Sequence, residues 1–459
     1  MEKLKCLVLC VSLLLLSIIM PCQTVRAEVK IGELGNVFDE FLIGGELMLF
    51  TRGDSNPGYG SKVFSHGEEN NVWSEVLAKV HFIAKKDIGF AKLEAKITPV
   101  FMSTIGKDVY GTYENKEKVE LNQGYLKFGN MLKSPWTLTV GCQNVKIEKQ
   151  FLIGGGRHQP AAAWLAFHDS FPFAVKLDGD YGKFKTTAFW AQSKDYVQMA
   201  DDRDNVDVAG VNFHFNFNDT NYVYGGYYAK MDDGLDDGFQ YEHDTNNADI
   251  GMDLTFGMFN VEGEFVYQWG DVNSADGNDF DRDSYAFFIS PKVTFPVAYK
   301  PYLKLHYMYF SGDDDPTDDD WKEYDPMFWG FPGWNKWVIG ELVGETQLLN
   351  QNKQDYVIET GFWPTETLNI YGMYIKHKLN EEYFPGISTF GYIPLSSKDW
   401  GDEFNIFTEW VASDNIWIHF GVGAVIPDDA AEEAMDIFSG TTGNDDTAYF
   451  AQIFLMFSF

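Results

Sequence analysis

Cysteine is nearly absent from the body of this 459-residue chain. Of its four Cys, three (Cys6, Cys10 and Cys22) lie at the extreme N-terminal end and only Cys142 follows. One thiol builds no disulfide framework, no paired redox centre and no Cys-x-x-Cys-His haem site, and Cys142 reads as a small apolar strand residue. Bases are scarce too: 35 Lys plus Arg stand against 68 Asp plus Glu, a net charge of −33. Phosphate neutralisation needs the opposite balance, which excludes nucleic acid as a partner. After Met20 there is no long apolar run, and mean hydropathy is −0.24, so a helical membrane bundle is excluded. No His-Glu-x-x-His, Gly-x-Ser-x-Gly or Walker loop occurs, and scattered His and Ser make no catalytic site; no enzyme is expected.

What the chain has in quantity is aromatic residues, 17% of the total, together with 43 Gly. That excludes disorder, because disordered chains are poor in aromatics. The first 27 residues read as a signal peptide: Lys3 and Lys5, then the apolar stretch Cys6 to Met20, then Val25-Arg26-Ala27 before cleavage. Cys22 follows Pro21 rather than a small residue, against a lipid anchor. Residues 28–459 then form one exported, acidic domain.

The body alternates with period two, as half-buried strands must. From Val208 to Phe217 one face reads Ala209, Val211, Phe213, Phe215, Phe217 and the other Val208, Gly210, Asn212, His214, Asn216. Phe259 to Gln268, Asp249 to Phe256 and Val72 to Phe82 repeat the pattern. Soluble sandwich strands run nearer five or six residues; segments of about ten, joined alternately by tight turns and long polar loops, match a barrel in lipid. Eighteen such segments can be placed between residues 40 and 459. Residues 335–347 alternate poorly and would make the number odd, so they are assigned to the long loop 311–352. The expected fold is all-β: an 18-stranded antiparallel transmembrane β-barrel with short periplasmic turns and long extracellular loops, in a Gram-negative outer membrane. Tyr449, Ala451, Ile453, Leu455, Phe457 and Phe459 share one face of the last segment, which resembles the insertion signature of such barrels. It implies the barrel-assembly machinery as a partner through Phe459, beside lipid and lipopolysaccharide.

Two stretches carry a family resemblance. The first is Val140-Gly141-Cys142-Gln143 with Gly155-Gly156-Arg157, Trp164 and the hairpin Phe171 to Trp190. The second is Ser311-Gly312-Asp313-Asp314-Asp315-Pro316 followed by Tyr324-Asp325-Pro326-Met327-Phe328. Together they resemble the alginate-export family of 18-stranded porins. Cys142 stands where that family has Arg, Ser170-Phe171-Pro172-Phe173 lacks its Asp, and Tyr324 replaces its Phe. Of the basic lining the resemblance implies for an anionic polysaccharide, Arg157 and Lys176 carry over.

An 18-stranded barrel is wide enough for an aqueous channel, so function depends on its lining and on what folds into it. Strand parity turns Lys79, His81, Lys92, Lys96 and Lys176 inward, with the acids Glu262, Glu264, Glu359 and Glu409 among others. The early strands are mixed in sign and the later half acidic. The expectation is passive diffusion of small hydrophilic solutes or saccharides through a pore that is not strongly anion-selective. The alternatives are the barrel sheath of a multi-protein conduit, for polysaccharide export or electron transfer, and an outer-membrane hydrolase. Asp313, Asp314, Asp315, Asp318, Asp319 and Asp320 suit Ca²⁺ chemically, though solvated surface carboxylates are the plainer reading; no other cofactor is expected. Asp271 to Asp279 is a fainter Ca²⁺-loop likeness, with its Gly one position late and no closing Glu. Trp321, Phe328, Trp329, Phe331, Trp334 and Trp337 need burial, so loop 311–352 is expected to fold into the barrel and constrict it.

Overall fold

The computed structural model describes residues 28–34, 37–61, 70–107, 115–156, 165, 170–193, 206–232, 241–328, 340–348, 350–386 and 391–459. In chain order the strands are β1 (Glu28–Leu34), β2 (Phe38–Ser55), β3 (Asn70–Asp87), β4 (Lys92–Gly106), β5 (Glu117–Gly129), β6 (Trp136–Gln143), β7 (Phe171–Tyr181) and β8 (Phe184–Ser193). There follow β9 (Val206–Asn216), β10 (Tyr222–Asp232), β11 (Tyr241–Phe256), β12 (Phe259–Ser274), β13 (Asp279–Thr294), β14 (Tyr302–Phe310) and the short β15 (Asp320–Trp321). The last are β16 (Lys353–Phe362), β17 (Leu368–Leu379), the short pair β18 (Tyr383–Phe384) and β19 (Ile393–Pro394), β20 (Asp399–Ser413), β21 (Ile416–Pro427) and β22 (Ala448–Ser458). Leaving out β1, β15, β18 and β19, the remaining 18 strands pair antiparallel in sequence order, and β22 pairs back with β2 from Glu46↔Ser458 to Ser55↔Tyr449. Closure removes the free edges that lipid could not hydrogen-bond.

Side-chain alternation sets the two faces of the wall. Along β4, Ile97 is 56% exposed and Ile105 47%, whereas Thr98, Val100, Met102 and Thr104 are at most 1% exposed. Along β20, Phe404, Ile406 and Trp410 point out while Glu403, Asn405 and Phe407 are buried inside. An apolar exterior around a polar, filled interior is the arrangement lipid demands. Tight turns close one end: between β7 and β8, Gly182 adopts φ +80, and its N–H donates to Asp180 Oδ1 at 2.9 Å.

The structure departs from the sequence reading in three places. First, β11, β12 and β13 run on through residues assigned to loops, with Asp271↔Asp281 and Val272↔Phe280 still paired. There the inner face is buried but largely polar (His243, Thr245, Arg282, Ser284), so the ladder continues after the hydrophobic period has gone. The Ca²⁺-loop-like stretch is therefore the tip of a hairpin. Second, β1 pairs with the edge of β2 that β22 leaves open, Glu28 opposite Gly44. Third, the last long loop carries a helix, α2 (Asp429–Ser439), after the single turn α1 (Val343–Thr346). Ala430, Ala431, Ala434 and Met435 bury one face of α2, and Gly440 ends it at φ +65.

Candidate functional site

Two loops run into the barrel. The chain leaves the wall after β6 at a bulge between Gly141 and Gln143, where an extra residue re-aims a strand. Gly141 sits at φ +127, and a Cβ there would lie 2.4 Å from the Gly124 carbonyl oxygen and 2.9 Å from Tyr125 Cα. Both obstacles are backbone, so Gly141→Ala should part β5 from β6. The expected loss is about 1–3 kcal/mol, read as a lowered thermal midpoint of the purified barrel. Gln143 Nε2 donates to the carbonyls of Thr139 (3.1 Å) and Ala174 (2.9 Å) at this bulge, and Cys142 is buried with its thiol 3.3 Å from the Asn122 carbonyl.

Past the bulge, Val145, Ile147, Phe151, Leu152 and Ile153 are buried inside the cylinder. Phe151 meets Phe288 at 5.3 Å and Phe310 at 5.7 Å between ring centroids. Between these apolar anchors two polar residues reach the wall. Glu148 accepts from Asn212 (2.7 Å) and lies 3.0 Å from His214 Nδ1. Lys149 donates to Asp253 (2.7 Å) on β11 and Glu262 (3.1 Å) on β12. Farther along, the Leu165 amide donates to Glu75 Oε2 at 2.8 Å.

The second loop, 311–352, meets the wall at two places. Near β10 to β13, Asp325 accepts from Lys230 (2.5 Å) and Thr245 (3.0 Å), and Gln268 Nε2 donates to its carbonyl (2.8 Å). Burial alone would raise the Asp325 carboxyl, but Lys230 and Arg282 outweigh it and hold the group well below the usual carboxylate range. On the far side, Arg52 of β2 donates to the Glu341 carbonyl (3.1 Å), and Glu403 of β20 accepts the Glu341 (2.8 Å) and Val343 (3.3 Å) N–H groups. The two loops also join each other: Ile153 and Phe328 form a parallel bridge, the Gly154 N–H donates to the Phe328 carbonyl (2.7 Å) and the Phe328 N–H to the Leu152 carbonyl (3.0 Å). Residues of both motifs that carried the family resemblance, Gly141 and Gln143 in one and Asp325 and Phe328 in the other, hold these loops in place.

The residues singled out from the sequence lie as follows. Lys79 is buried on β3; His81 Nδ1 is 3.0 Å from Thr98 Oγ1 and its Nε2 3.8 Å from Glu46. Lys92 and Lys96 share a face of β4 near its turn, and Lys176 pairs with Asp178 at 3.2 Å. Glu262 binds Lys149 and Lys304, Glu264 accepts from Tyr224 (2.6 Å), Glu359 lies 3.6 Å from His306 and Glu409 accepts from Tyr371 (3.2 Å). Arg157, Trp164, Trp329, Phe331, Trp334 and Trp337 fall outside the described residues. Several bases went unread: Arg52, Lys230, Arg282, Lys304 and Lys353 all sit at the inward parity of their strands, where the same alternation could have found them. Lys149, in a loop, has no such signal.

In the acidic loop, Lys322 occupies the centre. Its ammonium lies 2.6 Å from Asp314, 3.6 Å from Asp318 and 3.9 Å from Asp320. Burial lifts the Asp313 carboxyl to about 6. Among the described residues no three His, Cys, Asp or Glu converge so as to hold a metal ion.

Comparison with known proteins agrees with this architecture. The sequence matches the family model described as Alginate export over residues 74–443. A sequence search of curated proteins gives no match. Among solved structures, OccK9 (OpdG) of Pseudomonas aeruginosa is similar at TM-score 0.57 and 10% identity, over 91% of this chain and 98% of that one. OccAB1 of Acinetobacter baumannii gives 0.55 and 13%, over 94% and 98%, and OccK8 (OprE) of P. aeruginosa 0.55 and 10%, over 91% and 98%. These are outer-membrane porins, and at such identity the likeness speaks for the fold. With most of its length matched by one family model, the chain belongs to the alginate export family and is a channel of the Gram-negative outer membrane.

Proposed function

We propose that this channel passes small hydrophilic solutes by passive diffusion past the two joined loops, and that it favours cations and neutral molecules over anions. The observation behind this reading is the set of carboxylates around Lys149. Asp253 of β11 and Glu262 of β12 bind the Lys149 ammonium, and Glu262 also binds that of Lys304. On the same two strands Asp249 and Glu264 stand near Glu148 of the loop, which pairs with His214. Carboxylates outnumber cations there, and low-dielectric walls focus the resulting field, so a passing anion meets repulsion. A polyanion would meet it at every charge.

Reversal potentials across planar bilayers in a KCl gradient test the reading, with the cation side expected. Exchanging Asp253→Asn and Glu262→Gln together should move the potential toward the anion side; clear anion preference in the native protein would overturn the assignment. In liposome swelling, a neutral hexose should enter faster than a uronate of similar size.

A further inference from the structure

The docking of residues 340–348 rests on a buried chain of charges in which, among the described residues, carboxylates outnumber cations. Arg52 Nε binds Asp54 Oδ1 at 2.9 Å, and its Nη1 reaches Glu341 Oε2 at 3.4 Å and Gln452 Oε1 at 3.1 Å. Glu403, which accepts the two loop amides, also lies 3.4 Å from His377 Nε2; the other ring nitrogen of His377 is 2.7 Å from Asp355 Oδ1, and Lys353 is 3.1 Å from Asp355 Oδ2. Tyr59 and Trp400 both donate to Gln347 Oε1, at 2.7 and 2.9 Å.

All of these charged side chains are shut off from solvent. Four carboxylates (Asp54, Glu341, Asp355 and Glu403) face Arg52, Lys353 and His377. Even with His377 as imidazolium, donating from both nitrogens, the set is one positive charge short among the described residues. An uncompensated buried charge is costly, and the cheapest remedy is a proton from solvent on one carboxylate. Glu341 is the one the loop brings with it, so its proton can be gained on docking and lost on release.

We propose that docking of residues 340–348 on the barrel wall takes up a proton, so that the constriction is locked in acid and loosened as the pH rises to neutral. The proposal rests on the reading of the two loops as the constriction of a channel. Burial pushes the Glu341 carboxyl up to about 7, with Arg52 opposing and Glu403 and Asp54 adding to the rise. The sign follows from linkage. A freed Glu341 titrates near its ordinary value of ~4.3, so between that pH and about 7 the docked form binds more protons than the freed one. Docking is therefore strongest in acid; its equilibrium constant falls by up to tenfold per pH unit between ~4.3 and about 7 for one proton and levels off above that.

The test records conductance in planar bilayers from pH 5.5 to 8.5 and, in parallel, hydrogen exchange of the peptide spanning 340–348, corrected for intrinsic rates. The native protein should gain about threefold or more in mean conductance over that range while protection of the Glu341 and Val343 amides falls. Glu341→Gln keeps an acceptor for Arg52 and has no proton to lose, so it should stay docked and poorly conducting at every pH. Native conductance and amide protection that are both flat with pH would overturn the proposal, as would a Glu341→Gln variant that follows the native profile. If amide protection falls while conductance stays flat, proton-linked docking stands and the loops are not the constriction.

Discussion

Asp325→Ala is expected to destabilise the folded protein by about 3–5 kcal/mol, read as a lowered urea midpoint in lipid vesicles, and to raise single-channel conductance. The size of the effect comes from what the substitution leaves behind. Lys230 is 5% exposed and donates to this carboxylate at 2.5 Å, while Arg282 nearby is committed to the Glu323 carbonyl (2.9 Å) and His243 (2.7 Å). Without Asp325 an ammonium group stays buried with its main counter-charge gone. The Thr245 hydroxyl and the Met327 N–H lose their acceptor as well. Asp325→Asn should recover part of the hydrogen bonding and none of the charge. Because the Asp325 carboxyl is depressed, its contribution is complete above the ordinary carboxylate value and is lost only as pH falls below it. The stability difference between native protein and Asp325→Ala should therefore be constant from pH 5 to 9. The loop thus has one anchor indifferent to pH across this range and, at Glu341, one that is not.

Legibility of the sequence follows the solvent on each face. Where a strand has lipid on one side and a filled lumen on the other, hydrophobicity flips at each residue, and the eighteen wall strands are found where that pattern lies. Where the inner face is buried but polar, as with His243, Thr245, Arg282 and Ser284 in the outer parts of β11 to β13, the pairing Asp271↔Asp281 leaves little hydrophobic trace. The in-folding of residues 144–156 had a trace: Val145, Ile147, Phe151, Leu152 and Ile153 are too apolar for a solvated loop, by the argument applied to 311–352. Ion partners were the least legible. Parity places Glu262 on the inner wall, but that it binds Lys149, and that Arg52 meets Glu341, depends on where a loop comes to rest inside the barrel. Contacts between residues more than a hundred positions apart, through a segment without a period, have no signature in one sequence.

The direction of the alternation can be tested at one site. Ile406, 58% exposed, stands at the centre of β20, with Phe404 and Trp410 on the same outward face. Ile406→Lys puts an ammonium group into hydrocarbon near the middle of the bilayer, which should cost about 2–4 kcal/mol in folding equilibria measured in vesicles. Glu409 is three residues farther along and on the inner face, where it accepts from the Tyr371 hydroxyl at 3.2 Å. A lysine there keeps access to water, so Glu409→Lys should cost no more than ~1 kcal/mol and should shift ion preference toward anions instead. A register slip of one residue would exchange the two outcomes, because it moves every side chain of the strand to the opposite face. The pair of variants thus reads the orientation of β20 independently of its neighbours, and with it the side of the wall on which Glu403 holds the loop.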